Sequence, residues 1–132
     1  MIRITDNIWV GNSDDEVGAE LGHIGIRAVL NVAQDLQGTR GWEGGVEYMQ
    51  VGLIDGPGNL LGTYYAALLA LHTLLKRKRV LVCCHSGGRS LAVVLMYLCL
   101  TSGHAWDRWW AKLGEQADWL PKVNEAHKAA YL

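Results

Sequence analysis

Residues 80–90 read VLVCCHSGGRS, an apolar strand-like run that passes through adjacent cysteines and two glycines into an arginine and a long apolar helical run. A strand that turns directly into a helix exposes several backbone N–H groups at the helix N-terminus. Those amides and the helix dipole together hold an anion. Ser86, Gly87 and Gly88 allow the backbone to curl tightly, because glycine adopts conformations closed to other residues. Arg89 adds a planar fork for two anion oxygens. A cysteine at the strand end, in the same positive setting, is favoured as a thiolate and therefore as a nucleophile. Ser90 is placed to donate a hydrogen bond to that sulfur when it must leave. The plainer alternative is a buried thiol pair beside a glycine turn with Arg89 as a surface charge. For a lone cysteine that alternative wins; for Cys, Gly, Gly, Arg and Ser in one strand-to-helix turn it does not.

The rest of the chain supplies the frame for such a turn. IRI and NIWVG predict two short strands around a turn at Thr5–Asn7, and DDEVGAELGHIGI a short helix with apolar Val17, Leu21 and Ile24 at helical spacing. RAVLNVA and VEYMQVGL predict buried strands separated by the glycine-rich QDLQGTRGWEGG. After the loop DGPGN, residues 59–79 predict a helix with Asn59 as its N-cap and a basic last turn. VLVCC is a strand, residues 89–103 a helix ended by glycine, residues 105–116 another helix, and the tail PKVNEAHKAAYL is helical too. Strands alternating with helices predict an α/β fold: a mainly parallel central sheet of about four or five strands with helices on both faces. Neither a repeat nor a linker interrupts residues 1–132, so a single domain is expected.

Composition narrows the functional classes. The net charge is −1 without a block of like charges, which gives no reason to expect nucleic acid or an anionic membrane as partner. No apolar run reaches a membrane span, and the N-terminus lacks the basic head and apolar core of a secretory signal. Three cysteines, two of them adjacent, make a poor disulfide framework and fit free thiols in the cytoplasm. The five histidines show no metal-ligand spacing, and neither metal nor cofactor is expected. Cys99 and the bunched Trp106, Trp109 and Trp110 read as packing residues, and Asp14, Asp15 and Glu16 as helix-start chemistry.

VLVCCHSGGRSLAVVLMYL resembles the signature of the dual-specificity and tyrosine phosphatases: a strand, a cysteine, a short loop, Arg and Ser or Thr, then an apolar helix. ITDNIWVGN is similar to that family's opening strand pair, and LGHIGIRAVLNVAQD to its helix and following strand. VEYMQVGLIDGPGN looks like the strand and loop that carry its general-acid aspartate. The likeness runs from about Ile4 to Gln116. It implies a metal-free hydrolase of the cysteine-phosphatase type, acting on phosphotyrosine and on phosphoserine or phosphothreonine through a phosphocysteine intermediate. The implied partner is a phosphorylated protein or a small phosphate ester. The implied machinery is a cysteine nucleophile, Arg89, Ser90 and the loop His85, Ser86, Gly87 and Gly88 around the phosphate, with Asp55 as acid and base.

Two departures from the family pattern bear on the site. The histidine before the nucleophile is replaced, and only four residues separate Cys84 from Arg89 where the phosphatases have five. Cys84 aligns best with strand, Gly87 and helix; Cys83 is the reserve, since it restores five intervening residues. The shorter CHSGGRS also resembles the loop of rhodanese-type sulfurtransferases, which carry a persulfide. A third alternative is a weakly catalytic phosphate-binding module. Asp55 favours the phosphatase, because expulsion of an alkoxide or phenoxide calls for a proton donor and sulfur transfer does not. Asp35, at the end of a strand, is a second acid candidate whose position is less like the family's. His85 is expected to point outward while its amide joins the loop.

Overall fold

The computed structural model describes residues 1–13, 18–35, 45–85 and 87–103 of the chain. Strands β1 (Ile2–Arg3) and β2 (Ile8–Gly11) precede helix α1 (Gly18–His23); β3 (Ile26–Ala33) and β4 (Glu47–Leu53) precede α2 (Leu61–Leu75); β5 (Arg79–Cys83) leads into α3 (Gly88–Ser102). They form one five-stranded sheet in the order β1-β2-β5-β3-β4. Only the β1–β2 pair is antiparallel; β5 lies parallel between β2 and β3, and β4 parallel beside β3.

Alternation along the strands divides the core in two, because successive side chains point to opposite faces. Ile8, Val10, Ala28, Leu30, Val32, Val80 and Val82 meet Ala67, Ala70, Leu71 and Leu74 of α2 and the buried length of α3 on one face. Trp9, Val29, Leu81 and Cys83 meet Leu21 of α1 on the other. Helix α2 buries Ala67, Ala70, Leu71 and Leu74, the 3–4 spacing of one helical stripe. Helix α3 buries every residue from Gly88 to Met96. Helices on both faces of a mainly parallel sheet are the expected architecture.

The differences from expectation are local. The N-terminal turn is held by Thr5, whose Oγ1 accepts from the N–H groups of Asn7 (3.2 Å) and Ile8 (3.1 Å). Helix α2 does not begin at Asn59: its N-cap is Leu60, without a side-chain cap, and Asn59 serves the preceding loop instead. Nor does the basic run belong to its last turn alone, since Lys76 caps the helix and Arg79 already opens β5. The helices expected over 105–116 and the tail, with Trp106, Trp109, Trp110, His104 and His127, lie outside the described residues, as do Asp14, Asp15, Glu16 and Val17. Among the described residues no helix is long and apolar enough to cross a membrane.

Candidate active site

Strands β2, β3, β4 and β5 all run the same way, so their carboxyl ends, Gly11, Ala33, Leu53 and Cys83, gather on one edge of the sheet. The chain leaves β2 for α1 on one face, while α3 follows the adjacent β5 on the opposite face. Neighbouring strands whose connections part in this way open a crevice beyond their carboxyl ends. The loop from Cys84 to Arg89 lies there.

Cys84 is the first residue after β5 and is 1% exposed. Its sulfur accepts from the N–H of Gly87 at 3.1 Å and of Ser90 at 3.4 Å. The Ser90 hydroxyl lies 3.4 Å from the same sulfur, 3.2 Å from the Gly11 carbonyl and 3.1 Å from the Gly87 carbonyl. One hydroxyl proton thus has three acceptors in reach, and the sulfur competes best for it when it carries charge. Gly87 makes this curl possible: as N-cap of α3 it sits at φ 94°, the left-handed region. Its carbonyl accepts from Leu91 N–H at 2.9 Å, the first bond of the helix.

Arg89, in the first turn of α3, is 4% exposed. Its Nη1 donates to Asp35 Oδ1 at 2.7 Å and to the Leu53 carbonyl at 2.8 Å. The other oxygen of Asp35 lies 3.3 Å from His85 Nε2. The Arg89 hydrogen bond holds the Asp35 carboxyl below its ordinary value of 3.8. Asp35 reaches this place because the chain beyond β3 stays beside β4: Gln34 N–H donates to Leu53 O at 3.0 Å. Gly52 permits that approach, since a Cβ there would lie 2.9 Å from the Gln34 Cα.

Asp55 stands on the exposed loop after β4, two residues beyond the Leu53 carbonyl that Arg89 binds. Asn59 ties this loop across its base. Its Oδ1 accepts from Ile54 N–H (2.8 Å), and its Nδ2 donates to Ile54 O (3.0 Å), Gly56 O (3.2 Å) and the Tyr64 hydroxyl (3.4 Å). An asparagine bound to nearby backbone in this way replaces regular structure as the organiser of a turn.

The structure therefore gathers Cys84, His85, Gly87, Gly88, Arg89 and Ser90 around one crevice, with Asp35 and the Asp55 loop on its β3 and β4 side. Ser86 lies outside the described residues. Cys83 is fully buried on the opposite face of the sheet, with Trp9, Leu21 and Leu81. Cys99 packs, half-buried, against the α2–α3 core. His23 is exposed at the end of α1, and His72 Nδ1 lies 3.1 Å from the Tyr97 hydroxyl, away from the crevice. Reasoning from the sequence missed the loop-holding role of Asn59. The signal was the glycine on either side of Pro57, which marks a turn that a neighbouring Asn side chain can organise.

This arrangement defines the dual-specificity phosphatase type of fold, and the solved structures that resemble the chain agree. Human DUSP28 superposes with a TM-score of 0.81 at 18% identity, over 99% of this chain and 92% of that one. A mouse putative dual specificity phosphatase, solved with zinc tungstate, gives 0.79 at 26% identity over 98% of this chain and 82% of its own. A human tyrosine phosphatase-like serine/threonine/tyrosine-interacting protein gives 0.80 at 18% identity, over 98% and 91%. No protein-family model matches the chain, and no curated protein sequence does.

Proposed function

We propose that residues 1–132 form one catalytic domain, a cysteine-dependent phosphatase that hydrolyses phosphate monoesters through a phosphocysteine. The observation that carries this reading is the sulfur of Cys84, faced by the Gly87 and Ser90 amides and the Ser90 hydroxyl at the mouth of α3. The solved dual-specificity phosphatases that share the fold support it. Cys84 rather than Cys83 is the nucleophile, because only Cys84 stands on the loop side of the strand end.

In the first step the Cys84 thiolate attacks phosphorus while the ester P–O bond breaks. Amides of the loop and the Arg89 guanidinium hold the three non-bridging oxygens, where charge is concentrated. Asp55, as the acid, gives its proton to the departing oxygen. In the second step the Asp55 carboxylate takes a proton from water, whose oxygen attacks the phosphocysteine. The S–P bond breaks, inorganic phosphate leaves, and the Ser90 hydroxyl donates to the returning thiolate. The substrates we propose are phosphotyrosine and phosphoserine or phosphothreonine on proteins of the cytoplasm, or a small phosphate ester.

Parallel assays of aryl phosphate hydrolysis and of sulfur transfer from thiosulfate to cyanide test the reading. Aryl phosphate turnover without sulfur transfer is expected. Sulfur transfer alone would make the chain a sulfurtransferase. Neither activity, with thermal stabilisation by phosphate, would make it a phosphate-binding module.

A further inference from the structure

We propose that Asp35 is a positioning residue of this site: a single carboxylate that ties the residue after Cys84 to the first turn of α3 and aims the Arg89 guanidinium. The inference rests on the phosphatase reading and adds to it a residue just beyond β3, 54 positions from Arg89. His85 and Arg89 are the first and last residues of the stretch that follows Cys84 into the helix. Asp35 Oδ2 lies 3.3 Å from His85 Nε2, and Oδ1 accepts from Arg89 Nη1 at 2.7 Å. One side chain, 63% exposed and two residues beyond β3, thus meets both His85 and Arg89.

The chemistry of the guanidinium gives the clamp its purpose. Arg carries five N–H donors, two of them on Nη1. Asp35 and the Leu53 carbonyl take both of those. That leaves the edge made by Nε and Nη2, the edge whose parallel N–H groups match two oxygens of a phosphate. A guanidinium tethered through Nη1 has its plane set before the anion arrives, so less freedom is lost on binding. The carboxylate also offsets one positive charge in the crevice, which weakens raw attraction for an anion. Alignment and attraction therefore make opposite predictions for removal of Asp35, and an experiment can choose between them.

Asp35→Ala, Asp35→Asn and His85→Gln would be made in the full chain and again with Cys84→Ser. The readouts are kcat and KM for an aryl phosphate in the first set and the Kd of inorganic phosphate in the second. Asp35→Ala should raise both KM and Kd about ten- to a hundredfold, the range expected for loss of a hydrogen bond to a charged group. Asp35→Asn, which keeps an oxygen for Arg89 Nη1, should recover most of that loss, and His85→Gln should reproduce what remains. A merely structural aspartate would lower the melting temperature and leave KM and Kd of the folded protein where they were, and that result overturns the clamp. So does tighter phosphate binding in Asp35→Ala, which would make the carboxylate a competitor. A wild type that neither binds nor hydrolyses phosphate removes the phosphatase reading and the clamp with it. If the wild type does both and the variants match it, the clamp alone falls.

Discussion

Around Cys84 the groups that face the sulfur are two backbone amides and a serine, all buried, and they are set by the passage of β5 into α3. Around Asp55 the backbone is exposed, and the ties across the loop come from the side chain of Asn59. The first region is a by-product of the fold: as long as the sheet and α3 pack, the donors point where they do. In the second, the side chain of Asn59 binds the backbone of Ile54 and Gly56 outside the core. In the proposed site the first region would hold the anion and the second would carry the acid.

The sharpest way to break the first region is to remove the sulfur. Cys84→Ser should abolish turnover, while Cys83→Ser, a change on the opposite face of the sheet, should keep activity per folded molecule. Full activity in Cys84→Ser with loss in Cys83→Ser would reverse the assignment of the two thiols. On the second region, Asp55→Asn should slow hydrolysis of esters with poor leaving groups by about 10²–10⁴-fold, the usual worth of general acid catalysis. Leaving groups that need no proton should show much less effect. An equal loss across leaving groups would make Asp55 structural.

The four-residue spacing between Cys84 and Arg89 allows a gain rather than a loss. One fewer amide around a tetrahedral oxyanion costs about 2.7–4 kcal/mol if it behaves like a missing oxyanion-hole donor. A glycine inserted between Gly88 and Arg89, in a Cys83→Ser background, should therefore speed aryl phosphate hydrolysis by roughly 10²–10³-fold. A fast parent that the insertion inactivates would show the native loop to be complete. Asn59→Ala should act only on the Asp55 loop, lowering kcat about fivefold on a scale of ~1 kcal/mol for a lost hydrogen bond. Phosphate affinity should stay unchanged; a weakened phosphate affinity would show that the two regions are not separable.

The smallest effect belongs to pH and stability. Arg89 holds the Asp35 carboxyl below 3.8, so the contribution of this pair is present above that value and is lost as pH falls through the depressed one. The melting-temperature difference between wild type and Asp35→Asn should accordingly shrink in strongly acid solution. A difference that persists unchanged there would mean the pair contributes nothing through its charge.

Much of this was legible in the sequence, for reasons that differ by element. The β-branched runs of β3 and β5 and the glycines after Cys84 act over a few residues, and so they announce strand, turn and helix directly. What could not be read are the partnerships that close over distance. Asp35 carries no mark of its contact with Arg89, because that contact exists only once β3 and α3 share the same end of the sheet. Asn59 read as a helix cap, since Asn before an apolar run commonly is one. Its side chain instead binds the loop around Pro57, at the backbone of Ile54 and Gly56.

The opposite facings of Cys83 and Cys84 have a bearing on oxidation. Cys83, the last residue of β5, is held by parallel partners on both sides, at Gly11 and Asn31, and packs on the opposite face of the sheet from Cys84. A disulfide needs Cβ atoms about 3.5–4.5 Å apart and pointing towards each other, which these neighbours do not offer. A sulfenic acid formed at Cys84 would find no resolving thiol next to it, although the sequence places one there. Unless another thiol arrives or a backbone nitrogen closes a sulfenamide, the next oxidant carries that sulfur to the sulfinic state, from which simple thiols do not return it.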